Sequence, residues 1–329
     1  MKLFPILICV VLAAGAAYGW GERGHQTVNH AAVQTLPDDG PVFLKVHEEW
    51  IAVKARTPDT WRTVNEPFVK ILEDPNHGWF KEQFAFMKEI PRSRYEFVLA
   101  LYDEYLRLKD KDPERAKLTN VRWTGTLPYA AMENYERLKS GFRIYREQRA
   151  ARQETKYTEL DLAFYMGWLG HYTADGAMPL HDSIHHDGWQ GPNPKNYTRD
   201  GGIHGRFESQ FVDLLPVRVE DVRPLVGKTR VLRDPFQAIL DHLDRAATHV
   251  EEVYQLDQVG AYQDKNNAAA KRLVLERLGS GAELLRDLVY TAWVESAKPP
   301  LPGGGANNPI SPQHPKYNPA TGSAPAPRP

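Results

Sequence analysis

The chain has 329 residues, with 41 Lys plus Arg against 42 Asp plus Glu and a formal net charge of −1. This balance excludes a global basic field of the kind that wraps duplex DNA, and it leaves room for a site that takes a few nucleotides by stacking and metal contact. The single cysteine, Cys9, excludes an internal disulfide framework, so stability must come from a hydrophobic core and from any bound metal.

Taken in chain order, residues 1–19 read as a cleavable secretory signal peptide. Lys2 opens it, Phe4 to Leu12 form an apolar run, and Ala13 to Gly19 supply small residues, with cleavage expected after Gly19. The apolar run is too short for a permanent membrane anchor, so the protein is expected to be secreted or periplasmic. Residues 20–297 are expected to form one all-α domain, whose length of about 280 residues is enough to bury a sizeable core.

Helices are predicted over Gln26 to Leu36, Val42 to Ala55, Arg94 to Leu108, Pro128 to Ala150 and Thr158 to Ala174. Further helices are predicted over Arg206 to Leu215, Pro235 to Gln255 and Asn266 to Ala297, with Pro and Gly falling mostly between them. Asp182 to Gly202 reads as a long irregular loop, and loops of that length inside a domain tend to be functional. Residues 298–329, rich in Pro, Gly and Ala and poor in apolar residues, are expected to be a disordered tail.

His171, Asp175, His181, His204 and Glu208 crowd into one short stretch that spans the loop. Imidazole nitrogens and carboxylate oxygens are the ligands that zinc accepts, and five of them exceed what one four-coordinate ion with an open position would use. The pairs His171/Asp175 and His204/Glu208 are spaced i, i+4, so on a helix each pair points from one face. That is how helical bundles deliver ligands to an interior site. His185 and His186, in a polar loop beside Asp187, read as solvated, and His30, His47, His242, His249 and His314 have no ligand-like setting. At Trp20, the expected mature N-terminus, a freed α-amine and its neighbouring carbonyl could chelate a metal, and His25 could add a nitrogen.

Trp-Gly-x-x-Gly-His at a mature N-terminus, followed by His-x3-Asp-x5-His and His-x3-Glu, resembles the phospholipase C/P1 nuclease superfamily. The resemblance covers roughly Trp20 to Val212. It implies a secreted, all-α phosphodiesterase with three zinc ions per chain. One zinc would take the Trp20 amine and carbonyl, His25, and Asp175 as a bridging carboxylate. A second would take His171, the other oxygen of Asp175, and an earlier Asp and His. The third would take His181, His204 and Glu208. The earlier His is His77, and for the Asp the resemblance leaves Asp59, which is preferred, and Asp74. Asp59 and Asp175 are the expected catalytic carboxylates, Asp59 orienting the attacking water or accepting its proton.

The motifs divide between the two branches of that superfamily. The five-residue step from Trp20 to His25 and the long His181 to His204 gap match the nucleases, whereas Glu208 matches the phospholipases. The leading expectation is therefore a nuclease cleaving single-stranded RNA or DNA, with 3′-nucleotidase activity as an extension, acting as a monomer through water activated at the zinc cluster. Trp79, Phe80 and Trp189 are candidates to stack a base or simply to pack around the cluster. The alternative is a zinc-dependent phospholipase C acting on phospholipid headgroups, disfavoured because no membrane-binding domain or exposed amphipathic helix is legible in the sequence. The third reading, from another class, is a secreted protein whose zinc only stabilises the fold.

Overall fold

The computed structural model describes residues 20–64, 66–300 and 303–329, so the expected signal peptide lies outside the described residues. Among those residues there is no β-strand, only the isolated bridges Trp79–Gly125 and Asn318–Ser323, and the fold is all-α. In chain order the first helices are α1 (Gly21–Gln34), α2 (Glu48–Lys54), α3 (Thr57–Thr63), α4 (Pro67–Glu73) and α5 (Arg94–Leu108). Next come α6 (Pro113–Lys117), α7 (Val121–Thr124), α8 (Leu127–Ala150), α9 (Lys156–Asp175), α10 (Gly202–Gly205) and α11 (Phe211–Leu214). The chain closes with α12 (Val219–Val222), α13 (Pro235–Ala247), α14 (Val250–Gln258) and α15 (Ala268–Ser296).

The helix ends follow from local chemistry. Ser93 caps α5 by accepting from the Glu96 amide, Asp234 caps α13 at the Gln237 amide, and Asn267 caps α15 at the Ala270 amide. Each satisfies a backbone donor that would otherwise have no partner in the first turn. Pro235 and Pro128 sit in first turns, where a missing N–H costs nothing.

α9 is the central element and packs against α1, α2, α8 and α15. From Met166 onward every residue except the half-buried Trp168 is buried, so this end of the helix offers almost no face to solvent, and polar groups placed there must find partners inside. Gly170 permits the close crossing of α1. A Cβ at this position would lie 1.7 Å from Oδ1 of the buried Asn29, whose amide donates to the Ile51 and Gly167 carbonyls.

Several expected boundaries shift. The helix expected over 42–55 opens as a 3-10 turn, Val42–His47, before α2. The helix expected over 235–255 breaks between Ala247 and Val250, where the Thr248 hydroxyl donates back to the Arg245 carbonyl at 2.6 Å. α3 and α4 were not foreseen, because seven-residue helices opened by Pro58 and Pro67 are too short to show a 3.6-residue period. Residues 303–329, expected to be disordered, run as successive turns against α5 and the chain before it. The Ala326 amide donates to the Arg92 carbonyl at 3.1 Å, the Asn318 side chain reaches Glu96, and Arg328 pairs with Glu89. Turn bonds and these contacts satisfy a backbone that has few apolar groups to bury.

Candidate metal centre

Seven helices and turns, on six separate pieces of backbone, converge at the C-terminal end of α9. α9 itself presents His171 and Asp175 one turn apart, α1 brings His25, and α3 brings Asp59. Two 3-10 turns, Asp74–His77 and Pro179–Asp182, bring His77 and His181. α10 carries His204, and a π-helical turn, Arg206–Gln210, carries Glu208. Such π turns widen a helix by one residue and recur at functional sites.

The expected ligands form two adjoining groups. In the first, Asp175 divides its carboxylate: Oδ2 lies 3.0 Å from His77 Nδ1 and 3.1 Å from His171 Nε2, while Oδ1 lies 3.4 Å from His25 Nε2. Asp59 faces the same space, with Oδ1 3.8 Å from His77 Nδ1 and 3.9 Å from His171 Nε2, and Oδ2 4.0 Å from His25 Nε2. In the second group Glu208 Oε2 lies 3.2 Å from His204 Nε2 and 3.5 Å from His181 Nε2. His181 joins the groups, its Nδ1 3.8 Å from Asp175 Oδ2. Asp74, the competing carboxylate, turns outward to Arg62, Lys70 and Arg122.

The chemistry of this donor set fits cations, and the histidine protons show why. His171 Nδ1 faces the Ala55 carbonyl at 2.7 Å, and a carbonyl can only accept, so the proton sits on Nδ1 and the Nε2 lone pair points into the cluster. His181 Nδ1 faces the His77 carbonyl and His204 Nδ1 faces Asp187 Oδ1 at 3.0 Å, which fixes both rings the same way. Their Nε2 atoms then meet 3.2 Å apart, lone pair to lone pair. Both oxygens of buried Glu208, both nitrogens of His25, Asp59 Oδ1 and Asp175 Oδ1 have no hydrogen-bond partner. Buried acceptors aimed at one another are costly unless a cation, or a proton, lies between them. His25, Asp59 and His171, then His77, His171 and Asp175, and thirdly His181, His204 and Glu208 each bring three ligand atoms close enough to share an ion.

Where protons stand in for cations, the electrostatics strain. Burial disfavours the charged ring of His171, yet Asp175 and Asp59 overcome it and hold its pKa at about 9. His204 is held at about 10 against burial by Glu208 and Asp187. His25, deprived of water and beside His171, is pushed well below the usual imidazole value, and burial pushes Asp59 up. Burial opposes the charge of Asp175, but His171 and His181 hold it well below the usual carboxylate range.

Trp20 is fully buried at the start of α1. Its indole N–H donates to the Ala174 carbonyl at 2.7 Å, next to Asp175, and its ring packs 5.4 Å from Phe207, next to Glu208. The side chain thus ties both ligand groups to the first turn of α1. Its backbone nitrogen becomes an amine only if the bond to Gly19 is cut.

Sequence reasoning missed several neighbours. Glu73, buried at the end of α4, accepts from the Tyr172 hydroxyl at 2.6 Å and lies 3.4 Å from His77 Nε2; the Glu73/His77 spacing of i, i+4 was the available signal. Asp187 orients His204 and pairs with His186 at 3.1 Å, so His186 belongs to the cleft and not to solvent, stacked 4.6 Å from Phe80. Asp182 is buried with neither oxygen bonded; burial, with Asp175, Asp244 and Glu82 nearby, raises its pKa. Trp79 is buried against Phe84 and Phe97, and Trp189 stacks on His185, so both pack. Phe80 and the unforeseen Trp123 line the cleft of about 260 Å³ that opens over His77, His181 and His204.

No protein-family model matches the chain, and no curated protein matches it. Among solved structures, the alpha-toxin of Clostridium perfringens, from an avian strain, is similar with a TM-score of 0.37 and 14% identity. The similarity covers 84% of this chain and spans 64% of the toxin's length. The functional reading therefore rests on the site.

Proposed function

We propose that the chain is a metal-dependent hydrolase of phosphodiesters. The observation that carries this reading is the meeting of His181 Nε2, His204 Nε2 and the unbonded oxygens of Glu208 beside the buried His25/Asp59/His77/His171/Asp175 group, under a solvent-open cleft that His77, His181 and His204 line. A purely structural zinc site is usually closed by its ligands. Three zinc ions are proposed: one held by His181, His204 and Glu208, one by His77, His171, Asp59 and Asp175, and one by His25, Asp175 and the Trp20 amine and carbonyl after removal of residues 1–19. Bound divalent cations supply water of lowered pKa and offset charge on phosphoryl oxygens.

The chain's own residues do the rest. Asp59, whose carboxylate faces His77 and His171, would orient the attacking water and accept its proton. Arg62 and Arg122 line the cleft and share a single carboxylate, Asp74, which leaves positive charge for a phosphate. Ala55, Asp187 and Glu73 hold the ring orientations of His171, His204 and His77.

The first substrate reading is a single-stranded nucleic acid or nucleotide, supported by Phe80 and Trp123 as flat faces beside the cleft and by the motif spacing at Trp20 and His25. A phospholipid headgroup is the second reading. It is favoured by Glu208 and by the apolar face of Phe68, Ile71 and Leu72 that α4 exposes. The zinc-loaded mature protein would be offered a single-stranded oligonucleotide, phosphatidylcholine and bis-p-nitrophenyl phosphate. Hydrolysis of the oligonucleotide and the nitrophenyl ester is expected; cleavage of lipid without nucleic acid would reverse the order, and inertness towards all three would leave the metals a structural role.

A further inference from the structure

Helix α4 is amphipathic the wrong way round. Its acidic Glu73 points inward to His77 and Tyr172, while Phe68, Ile71 and Leu72 share the outer face at 93%, 74% and 63% exposure. Apolar residues scattered singly on a surface are ordinary, but a contiguous cluster of this size marks an interaction surface. Val98 of α5 and Val121 of α7 join it across a groove of about 250 Å³.

We propose that this face docks peripherally on a lipid surface carrying anionic headgroups, with the metal cleft turned towards that surface. Three features select lipid over a rigid partner. The apolar side chains project as knobs from one short helix, which suits insertion into a deformable apolar phase. The rim is net positive: Arg62, Lys70 and Arg122 all converge on the single carboxylate of Asp74, and with the exposed Glu66 at the start of α4 counted, positive charge still remains to meet headgroup phosphates. Trp123, 40% exposed, stands at the edge between apolar face and cleft, the level at which indoles sit in a membrane interface. α4 runs straight into the turn that carries His77, so docking places the cleft at headgroup depth. That the docked cleft faces its substrate rests on the second, phospholipid reading of the phosphodiesterase; the docking itself does not, and it is measured without turnover.

The test is flotation of the full mature, zinc-loaded protein with vesicles of equal parts phosphatidylcholine and phosphatidylglycerol, with activity followed separately on bis-p-nitrophenyl phosphate. The protein should float with the vesicles. The triple variant Phe68→Ser/Ile71→Ser/Leu72→Ser should bind at least about tenfold more weakly, and Phe68→Ser alone about threefold, both keeping activity on the soluble ester. The single variant, at a side chain almost wholly in water, also guards against misfolding of the triple. Flotation no better than that of the triple variant would overturn the docking, as would a concentration-dependent dimer that the triple variant disperses, since a second copy would then be the occupant. Flotation without hydrolysis of any phosphodiester would leave the docking standing and remove the proposed activity instead.

Discussion

His181 and His204 face each other with their Nε2 atoms 3.2 Å apart, and each ring's other nitrogen is committed, to the His77 carbonyl and to Asp187. Two lone pairs at that distance repel unless something positive lies between them, and Glu208 supplies the matching anion. Replacing Glu208 with Gln keeps the shape and removes the charge. The variant should lose one zinc per chain, read by elemental analysis after dialysis, and most of the activity; retention of the full metal complement would show that Glu208 holds no ion.

Glu73 makes a subtler prediction. It lies 3.4 Å from His77 Nε2 and is itself held by the Tyr172 hydroxyl, so it acts on the cluster through a ring orientation and not by direct contact. Glu73→Gln should weaken zinc affinity by about 10- to 100-fold, the range seen when such outer partners are removed. Competition with a chromophoric chelator measures it, and Tyr172→Phe should produce a smaller shift in the same direction.

The N-terminal ligand is testable by one residue. A chain beginning with an additional Ala before Trp20 lacks the free amine at that position. It should bind one zinc fewer and lose most of its activity, whereas three zinc ions and full activity would exclude the amine as a ligand.

Gly170 concerns the scaffold. Gly170→Ala would place a methyl carbon 1.7 Å from Asn29 Oδ1, in a buried contact whose amide bonds Ile51 and Gly167. The α1–α9 crossing must open, at a cost of about 3 kcal/mol or more. Urea midpoints should fall accordingly, and a change of less than about 0.5 kcal/mol would mean that the helices have slack.

Acid should destabilise the fold through His242. This ring is buried, donates from Nε2 to the Thr173 carbonyl at 3.1 Å, and is kept neutral by burial, its pKa lowered to about 3. In the unfolded chain it titrates at the ordinary imidazole value of 6.5, so the unfolded state binds the extra proton, and the contribution present above that value is lost as pH falls below it. The slope is up to about 1.4 kcal/mol per pH unit. Since metal loss acts on both proteins, the comparison is with His242→Gln, whose stability should fall less steeply between neutral pH and the folded-state value. Parallel curves for the two would remove His242 from the account.

The division between sequence and tertiary structure can be drawn residue by residue. Pairs spaced i, i+4 name themselves in the sequence because a helix converts that spacing into one face; His171/Asp175 and His204/Glu208 were legible for that reason, as was the all-α class from long apolar periods such as that of α15. Composition and spacing could not orient a ring or choose between carboxylates far apart in the chain. Only packing put Asp59 into the cluster and turned Asp74 to Arg62, Lys70 and Arg122, because α3 lies against α9 while Asp74 begins a turn at the surface. Only packing showed that α4 points its apolar residues outward: hydrophobic spacing marks which residues share a face, and what that face meets is decided by the rest of the fold.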